Sequence, residues 1–229
     1  MIKPILCVLT SENMKGDWGI STGFAMSELT HPLRVFENAR LSYEFASIKG
    51  GQAPIDGFSF DLSDEDNRYF WQQDSFRQAL RTTKRLADVN AKDYSAVFFV
   101  GGHGTMWDFR SGAGVNEIIR AIYEQGGIVS AVCHGPAALV DATLSDGAYL
   151  VKGKKLAAFT DLEEEAVGAT DIVPYLLAST LIERGALHQA GENWSDNVVI
   201  DGRLITGQNP QSARSLGIAL CDALNRASH

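Results

Sequence analysis

A cysteine and a histidine stand side by side at Cys133 and His134, in the segment AVCHGPAAL. A cysteine thiolate is a strong nucleophile, and a neighbouring histidine can carry its proton. The preceding apolar run IVSAV predicts a buried strand, and the following GPAALVDATL predicts a helix with Pro136 in its first turn. Such a strand, turn and helix would place the Cys133 side chain at the carboxyl edge of a parallel sheet, facing a crevice. The segment therefore predicts a cysteine nucleophile.

The same position predicts the ionisation of Cys133. The first amide groups of a following helix and the positive end of its dipole favour the charged thiolate. Lowering the pKa by about two units from about 8.5 makes thiolate the majority form at neutral pH. A free cysteine is most often a small buried apolar residue, and we assign that role to Cys7 and Cys221. At the junction around Cys133, small residues give little packing reason for a Cys-His pair, which favours a functional role.

The elements that must position this turn are predicted from alternating apolar runs and amphipathic patterns. The runs 4–10, 95–100 and 128–132 have the length and composition of strands buried on both faces. The segments 115–127 and 211–227 show apolar residues at helical spacing. This order predicts an α/β fold of the doubly wound type, with a mostly parallel sheet and helices on both faces.

Three other segments complete this interpretation. The segment 197–207 contains an Asp-Gly pair that predicts a hairpin, and 149–160 predicts two strands around a Gly-Lys turn. A polar helical insertion is predicted around 59–92. The whole chain, 1–229, is predicted to form a single domain.

Composition narrows the classes of partner. The chain has 229 residues and a net charge of −8, and its 20 lysines and arginines form no cluster, which argues against nucleic acid as a partner. Its three widely spaced cysteines suggest neither a disulfide framework nor a metal site. No run of about 18 apolar residues exists, and the N-terminus lacks the features of a signal peptide, so no membrane association is predicted. We expect a cytoplasmic protein whose partners are small molecules or other proteins.

Five segments together carry a resemblance to a known family. They are LTSENMKGDWGISTGFAMSELTHPL, FFVGGHGTMWDF, AVCHGPAAL, AFTDLEEEAVG and DGRLITGQNPQSA. They are similar to motifs of the superfamily of the parkinsonism-associated deglycase and PfpI, and specifically of its heat-shock chaperone and glyoxalase III branch. The resemblance covers nearly the whole chain and implies a flavodoxin-like fold.

The resemblance implies roles for the residues around the cysteine. It makes Cys133 the nucleophile and His134 the next member of a catalytic triad, although adjacency alone also fits an ordinary turn histidine. It makes Glu164 the acidic member, with Glu163 and Glu165 as alternatives. From the sequence alone, three neighbouring glutamates equally indicate a solvated helix face.

A second carboxyl group is implied at Glu28, which matches the acid that the superfamily holds beside the sulfur as a proton donor or acceptor. Burial there would raise its pKa into the range useful for acid-base catalysis. The backbone amides of Gly102 and His134 are the expected oxyanion site, because a residue without a side chain allows close approach of the main chain.

The remaining candidates are substrate-binding residues. His103 resembles a metal ligand, but the further ligands that some relatives use have no counterpart, so we predict a hydrogen-bonded turn histidine and no metal. Phe159 and Trp194, together with Trp107 and Phe109, are candidates for the pocket wall. No cofactor is predicted.

The resemblance implies a lyase of the glyoxalase III (D-lactate dehydratase) class. Such an enzyme converts the reactive aldehydes methylglyoxal to lactate and glyoxal to glycolate without glutathione. The alternative is a cysteine-dependent peptidase, amidase or other hydrolase, which would need a later histidine such as His188 as its base. The family also implies a homodimer, a holdase chaperone activity on unfolded proteins and a deglycase activity on glycated proteins.

Overall fold

The computed structural model describes residues 2–227 and contains a seven-stranded sheet in the order β3-β2-β1-β4-β5-β9-β8. Every neighbouring pair in it is parallel except β8 and β9, which are antiparallel. A separate small sheet pairs β6 with β7. The strands β1 to β9 are Ile5–Leu9, Tyr43–Ser47, Lys84–Arg85, Ala96–Phe99, Ile128–Val132, Lys155–Leu156, Leu187–His188, Val198–Asp201 and Leu204–Gly207.

Helices cover both faces of this sheet. The residues of β1, β4 and β5 are all buried, which explains why these strands are apolar except at Ser130 of β5. Alternate residues of β4 enter opposite cores: Val97 packs with α5, and Phe98 packs with α1 and α8. The predicted doubly wound, flavodoxin-like α/β fold is therefore confirmed. The helices α1 to α8 are Met26–Asn38, Glu65–Trp71, Asp74–Arg81, Thr105–Asp108, Val115–Glu124, Asp161–Ala166, Leu177–Glu183 and Ala213–Ala227.

Two local predictions are wrong and one is confirmed. The helix expected after Cys133 is only a short 3₁₀ helix, Gly135–Leu139, whose first residue packs against the β4 backbone so closely that a Cβ atom would overlap with the Phe99 carbonyl oxygen. The segment 149–160 forms no pair of strands, because its one strand, β6, pairs with the distant β7. The hairpin is present, since β8 and β9 are joined through Gly202 at φ 60°.

The polar segment 59–92 contains α2 and α3. Asp64, at the start of α2, lies 2.9 Å from His31 of α1, and Asp66 accepts a hydrogen bond from Arg214 of α8. These contacts attach the segment to the helices beside the cysteine turn. Its description as an insertion, and that of 1–229 as a single domain, stay predictions. No helix within residues 2–227 is both long and apolar enough to cross a bilayer.

Candidate active site

Cys133 occupies a strained turn directly after β5. Its φ angle is 58°, in the left-handed region that residues other than glycine rarely adopt. Such a conformation costs on the order of 1–3 kcal/mol and persists only when its surroundings fix it. Here the Cys133 amide donates to the Gly207 carbonyl and its own carbonyl accepts from the Phe159 amide, each at 2.9 Å. The backbone is thus held on both sides, and Cys133 lines a cavity of about 930 Å³.

A histidine and a carboxylate follow the thiol in one chain of contacts. His134 Nδ1 lies 3.4 Å from the Cys133 Sγ, and His134 Nε2 lies 2.7 Å from Glu164 Oε2. His134 and Glu164 are 1% and 2% exposed, which excludes water from their hydrogen bond. The structure therefore brings Glu164 to His134, whereas Glu165 is exposed and Glu163 points its carboxylate to other partners.

His103 binds the other oxygen of the same carboxylate. Its Nε2 lies 2.7 Å from Glu164 Oε1, and its ring centroid lies 4.2 Å from that of His134. Burial, reinforced by the charge of His134, lowers the pKa of His103 to about 4, so its ring is neutral at pH 7. Burial alone would raise the pKa of Glu164, but the charges and hydrogen bonds of the two histidines hold it well below its usual range. Glu164 is thus an ionised carboxylate shared by two imidazoles.

This trio is also the group within residues 2–227 that could hold a metal ion. The ligand atoms of His103, His134 and Glu164 lie within 4.8 Å of one another. Two imidazoles and one carboxylate suit zinc or iron. Each Nε2 atom already has Glu164 as its hydrogen-bond partner, an arrangement that satisfies all three side chains without an ion. The expectation of no metal stays a prediction.

Glu28 lies on the first turn of α1 and is 1% exposed. Its carboxyl group is beside the Cys133 thiol and the Gly101 amide, although neither oxygen makes a hydrogen bond of normal geometry to any residue within 2–227. Gly101 leaves the necessary space, because a Cβ atom there would overlap with Glu28 Oε2. Burial, partly offset by those two contacts, raises the pKa of Glu28 to about 8. The carboxyl group therefore keeps its proton at neutral pH.

The prediction of a resting thiolate at Cys133 is wrong. Burial raises the pKa of the thiol well above its ordinary value, and the hydrogen bond from the His134 amide opposes this only in part. The prediction relied on a helix dipole, but only the short 3₁₀ helix Gly135–Leu139 follows the cysteine. A base must therefore remove the thiol proton before Cys133 can attack.

The turn after β4 supplies a free amide beside the cysteine. Gly102 has φ 105°, and a Cβ atom there would come within 2.5 Å of the Ala25 nitrogen, so the turn requires glycine. Its amide donates to no acceptor within residues 2–227. Gly102 and His134 both line the cavity, an arrangement that agrees with the expected oxyanion site.

Two of the four predicted aromatic residues form a wall of the cavity. The Phe159 ring centroid lies 4.3 Å from that of His134, and Trp194 meets Phe159 edge-on at 5.7 Å. Phe109 is instead in the core against Phe99, and Trp107 is absent from the described lining of the cavity. Phe109 is apolar because it is buried in the core. From the sequence alone, a core aromatic residue cannot be distinguished from one that lines a pocket.

Sequence reasoning missed a set of polar residues in the cavity lining. They belong to α1, α8 and the segment 59–92: Ser27, His31, Asp61, Asp64 and Arg214. It missed Gly101 as well, although the first glycine of the GGHG motif was an available signal. His188, the base required by a hydrolase, lies 3.3 Å from the Ala158 carbonyl and is absent from the described lining.

Comparison with known proteins gives consistent matches over nearly the whole chain. Glyoxalase 3 of Candida albicans is 35% identical to this protein, in an alignment that covers 93% of this chain and 94% of that relative. The glutathione-independent glyoxalase HSP31 of Saccharomyces cerevisiae is also 35% identical to this protein, and the alignment covers 97% of this chain and 98% of that relative. The crystal structure of glyoxalase III from Candida albicans superimposes with a TM-score of 0.89 at 33% identity, covering 96% of this chain and 97% of that one.

The model of the DJ-1/PfpI family matches residues 19–223. This range includes the cysteine turn, the glycine turn after β4 and both glutamates that flank the cysteine and its histidine. The match agrees with the superfamily that the sequence motifs indicated. The chain therefore belongs to the DJ-1/PfpI family.

Proposed function

We propose that this protein is a glutathione-independent glyoxalase of the glyoxalase III type, which converts methylglyoxal to lactate and glyoxal to glycolate. The single observation that carries the proposal is the placement of Cys133 between a protonated carboxyl group, Glu28, and the His134–Glu164 pair at one cavity. Isomerising a 2-oxoaldehyde needs a nucleophile and groups that move protons between adjacent carbons. The names of the relatives support the same activity.

The reaction begins with formation of the nucleophile. His134 Nδ1 takes the thiol proton of Cys133, and Glu164 stabilises the resulting imidazolium. The sulfur then forms a bond to the aldehyde carbon of methylglyoxal. The aldehyde oxygen, held by the amides of Gly102 and His134, takes the proton of Glu28. The product of this step is a hemithioacetal with a neutral hydroxyl group.

Isomerisation follows on the same sulfur-bound carbon. The Glu28 carboxylate removes the hydrogen of this carbon as a proton, and the imidazolium of His134 protonates the ketone oxygen, which gives an enediol. Glu28 returns its proton to the former ketone carbon while His134 takes the proton of the other hydroxyl. Water adds its hydroxyl group to the carbonyl carbon of the lactoyl thioester and gives its other proton to the Glu28 carboxylate. The C–S bond breaks, the sulfur takes the proton of the His134 imidazolium, and lactate leaves with one proton released to solvent. Residues of this chain carry the protons of the isomerisation and water is the only co-reactant, so the mechanism consumes no cofactor.

The proposal is tested with the purified protein and methylglyoxal in the absence of glutathione. We expect lactate to appear in a one-to-one ratio with the methylglyoxal lost, followed by proton NMR. His188→Gln separates the alternatives, because a hydrolase with His188 as base loses its activity and the proposed glyoxalase does not. Unchanged methylglyoxal with the wild-type protein would reject the proposal.

Glu164→Gln is expected to lower kcat by about 10²–10⁴-fold, with a smaller change in KM. The glutamine keeps the size of the side chain but cannot stabilise the imidazolium of His134, and its NH₂ group would oppose one of the two histidine N–H donors. Steady-state kinetics with methylglyoxal measures the effect. Glu165→Gln, an exposed change on the same helix, is the matched control. Similar kinetics for the two variants would remove Glu164 from the mechanism.

Metal removal is expected to leave the activity unchanged. The proposed steps use the charge of Glu164 to stabilise His134, and a metal ion bound to these groups would compete with that contact. Dialysis against a chelator, with elemental analysis of the dialysed protein, is the measurement. Loss of activity that returns on addition of one specific metal would contradict the expectation. The homodimer, the cytoplasmic location and the chaperone and deglycase activities stay predictions.

A further inference from the structure

Glu163 lies outside the described lining of the cavity but connects several parts of its wall. Its side chain is fully buried, and its Oε1 atom accepts three hydrogen bonds, from the Trp194 amide at 2.9 Å, Gln208 Nε2 at 3.0 Å and Asn209 Nδ2 at 2.9 Å. Its Oε2 atom accepts from the Thr160 amide at 3.0 Å and hydroxyl at 3.1 Å. One buried carboxylate thus joins the start of α6 to two segments that follow it.

Trp194 is the residue that depends most on this carboxylate. Its φ angle is 62°, so it occupies the left-handed region, like Cys133. A strained residue that is 39% exposed receives little fixation from packing. Its hydrogen bond to Glu163 fixes the backbone instead, and the amide of Asn209 extends the support to the Ser195 carbonyl at 2.9 Å.

The wall formed by Phe159 and Trp194 stands against His134 and lines the same cavity as Cys133. The ring centroids of Phe159 and Trp194 are 5.7 Å apart, and those of Phe159 and His134 are 4.3 Å apart. A displacement of Trp194 therefore changes the space in the cavity that Cys133 lines. Small differences in a pocket change the relative kcat/KM of two substrates by about 10–200-fold.

We propose that Glu163 is a positioning residue that, through Trp194, sets the size of the group that the site accepts beside the reacting aldehyde. This inference rests on the proposed glyoxalase function and adds a determinant of its specificity. The adjacent glutamates of α6 then have separate tasks. Glu164 orients the histidine beside the thiol, and Glu163 orients the wall that faces the substrate.

The test compares methylglyoxal with the bulkier phenylglyoxal. Glu163→Gln removes the charge that strengthens the three hydrogen bonds and places an NH₂ group against the Thr160 amide. We expect the ratio of kcat/KM for phenylglyoxal to that for methylglyoxal to rise about tenfold. Trp194→Ala should raise this ratio at least as much. The double variant, Glu163→Gln with Trp194→Ala, should have the same ratio as Trp194→Ala alone. Glu165→Gln is the control, with an unchanged ratio.

A purely structural role of Glu163 would give a different result. A shift of α6 that misplaces Glu164 lowers kcat/KM for both aldehydes equally and leaves their ratio unchanged. That result, or a double variant in which the two effects multiply, would overturn the proposal. If Glu163→Gln fails to fold, Gln208→Met removes one of the three donors and should shift the ratio in the same direction.

A second readout does not depend on turnover. The rates at which iodoacetamide and the larger N-phenylmaleimide alkylate Cys133, followed by mass spectrometry, report the space beside the sulfur. We expect Glu163→Gln and Trp194→Ala to raise the relative rate of the larger reagent several-fold, and Glu165→Gln to leave it unchanged. Wild-type protein inert to both aldehydes would reject the proposed function, whereas an unchanged alkylation ratio would reject the role of Glu163.

Discussion

Cys133→Ser is expected to lower kcat/KM for methylglyoxal by about 10⁴-fold or more, with retention of the fold. A serine hydroxyl ionises far less readily than a thiol, so His134 removes its proton far less readily and the nucleophile does not form. Neither of the other thiols can substitute, because Cys7 and Cys221 are buried in the core and do not line the cavity. Loss of methylglyoxal in a glutathione-free assay is the measurement.

Cys221→Ala is the matched control, since it also removes a buried thiol and should leave the kinetics unchanged. Alkylation of the wild-type protein by iodoacetamide provides an independent check. Cys133 should react faster than Cys7, which is fully buried in β1 and whose pKa burial raises far above the ordinary value. Substantial activity in Cys133→Ser would exclude covalent catalysis by this residue.

The position of the cysteine could be predicted from the sequence because the signals for it are local. A continuous apolar run predicts a strand buried on both faces, and a following Gly-Pro pair ends it. The sequence also contains a signal that distinguishes the glutamates of α6. Thr160 and Glu163 have the spacing of a capping box, which commits Glu163 to the helix start and leaves Glu164 to face His134.

The ionisation of Cys133 could not be predicted, because it depends on groups brought together by the fold. Glu28 belongs to α1 and Cys133 follows β5, so the resemblance to the family indicated that they lie side by side, but the pattern of residues did not. A helix and its dipole can be predicted from a local sequence pattern, whereas the degree of burial and a contact between distant segments cannot. The contact between His103 and Glu164 escaped prediction for the same reason, although His103 itself was identified in its glycine turn.

Glu28→Gln is expected to lower kcat by about 10²–10⁴-fold, because glutamine can neither give a proton to the aldehyde oxygen nor remove one from carbon. The wild-type protein should also lose activity as the pH rises above about 8, where the carboxyl group of Glu28 loses its proton. Kinetics between pH 6 and pH 9 measure both effects. A variant with wild-type kcat at pH 7 would contradict the assignment of Glu28 as the proton carrier.

The same substitution is expected to stabilise the fold at alkaline pH. The pKa of Glu28 is about 8 in the folded protein and 4.5 in a free carboxyl group, so between these values the folded protein holds a proton that the unfolded chain has released. Folding stability from this group therefore falls as the pH rises from 4.5 to 8, by an amount on the order of a few kcal/mol. Glu28→Gln removes this dependence, whereas the titration of Asp108, which has a raised pKa of about 7, is common to both proteins and cancels.

The melting temperature of Glu28→Gln should consequently exceed that of the wild type by a margin that grows between pH 5 and pH 8. Thermal denaturation at several pH values, with Glu165→Gln as an exposed control, measures that margin. A constant margin would mean that Glu28 is ionised in the resting protein, in which case it could not donate the first proton to the aldehyde. A growing margin together with a lost activity would show that the protein retains a destabilising buried acid because the reaction requires it.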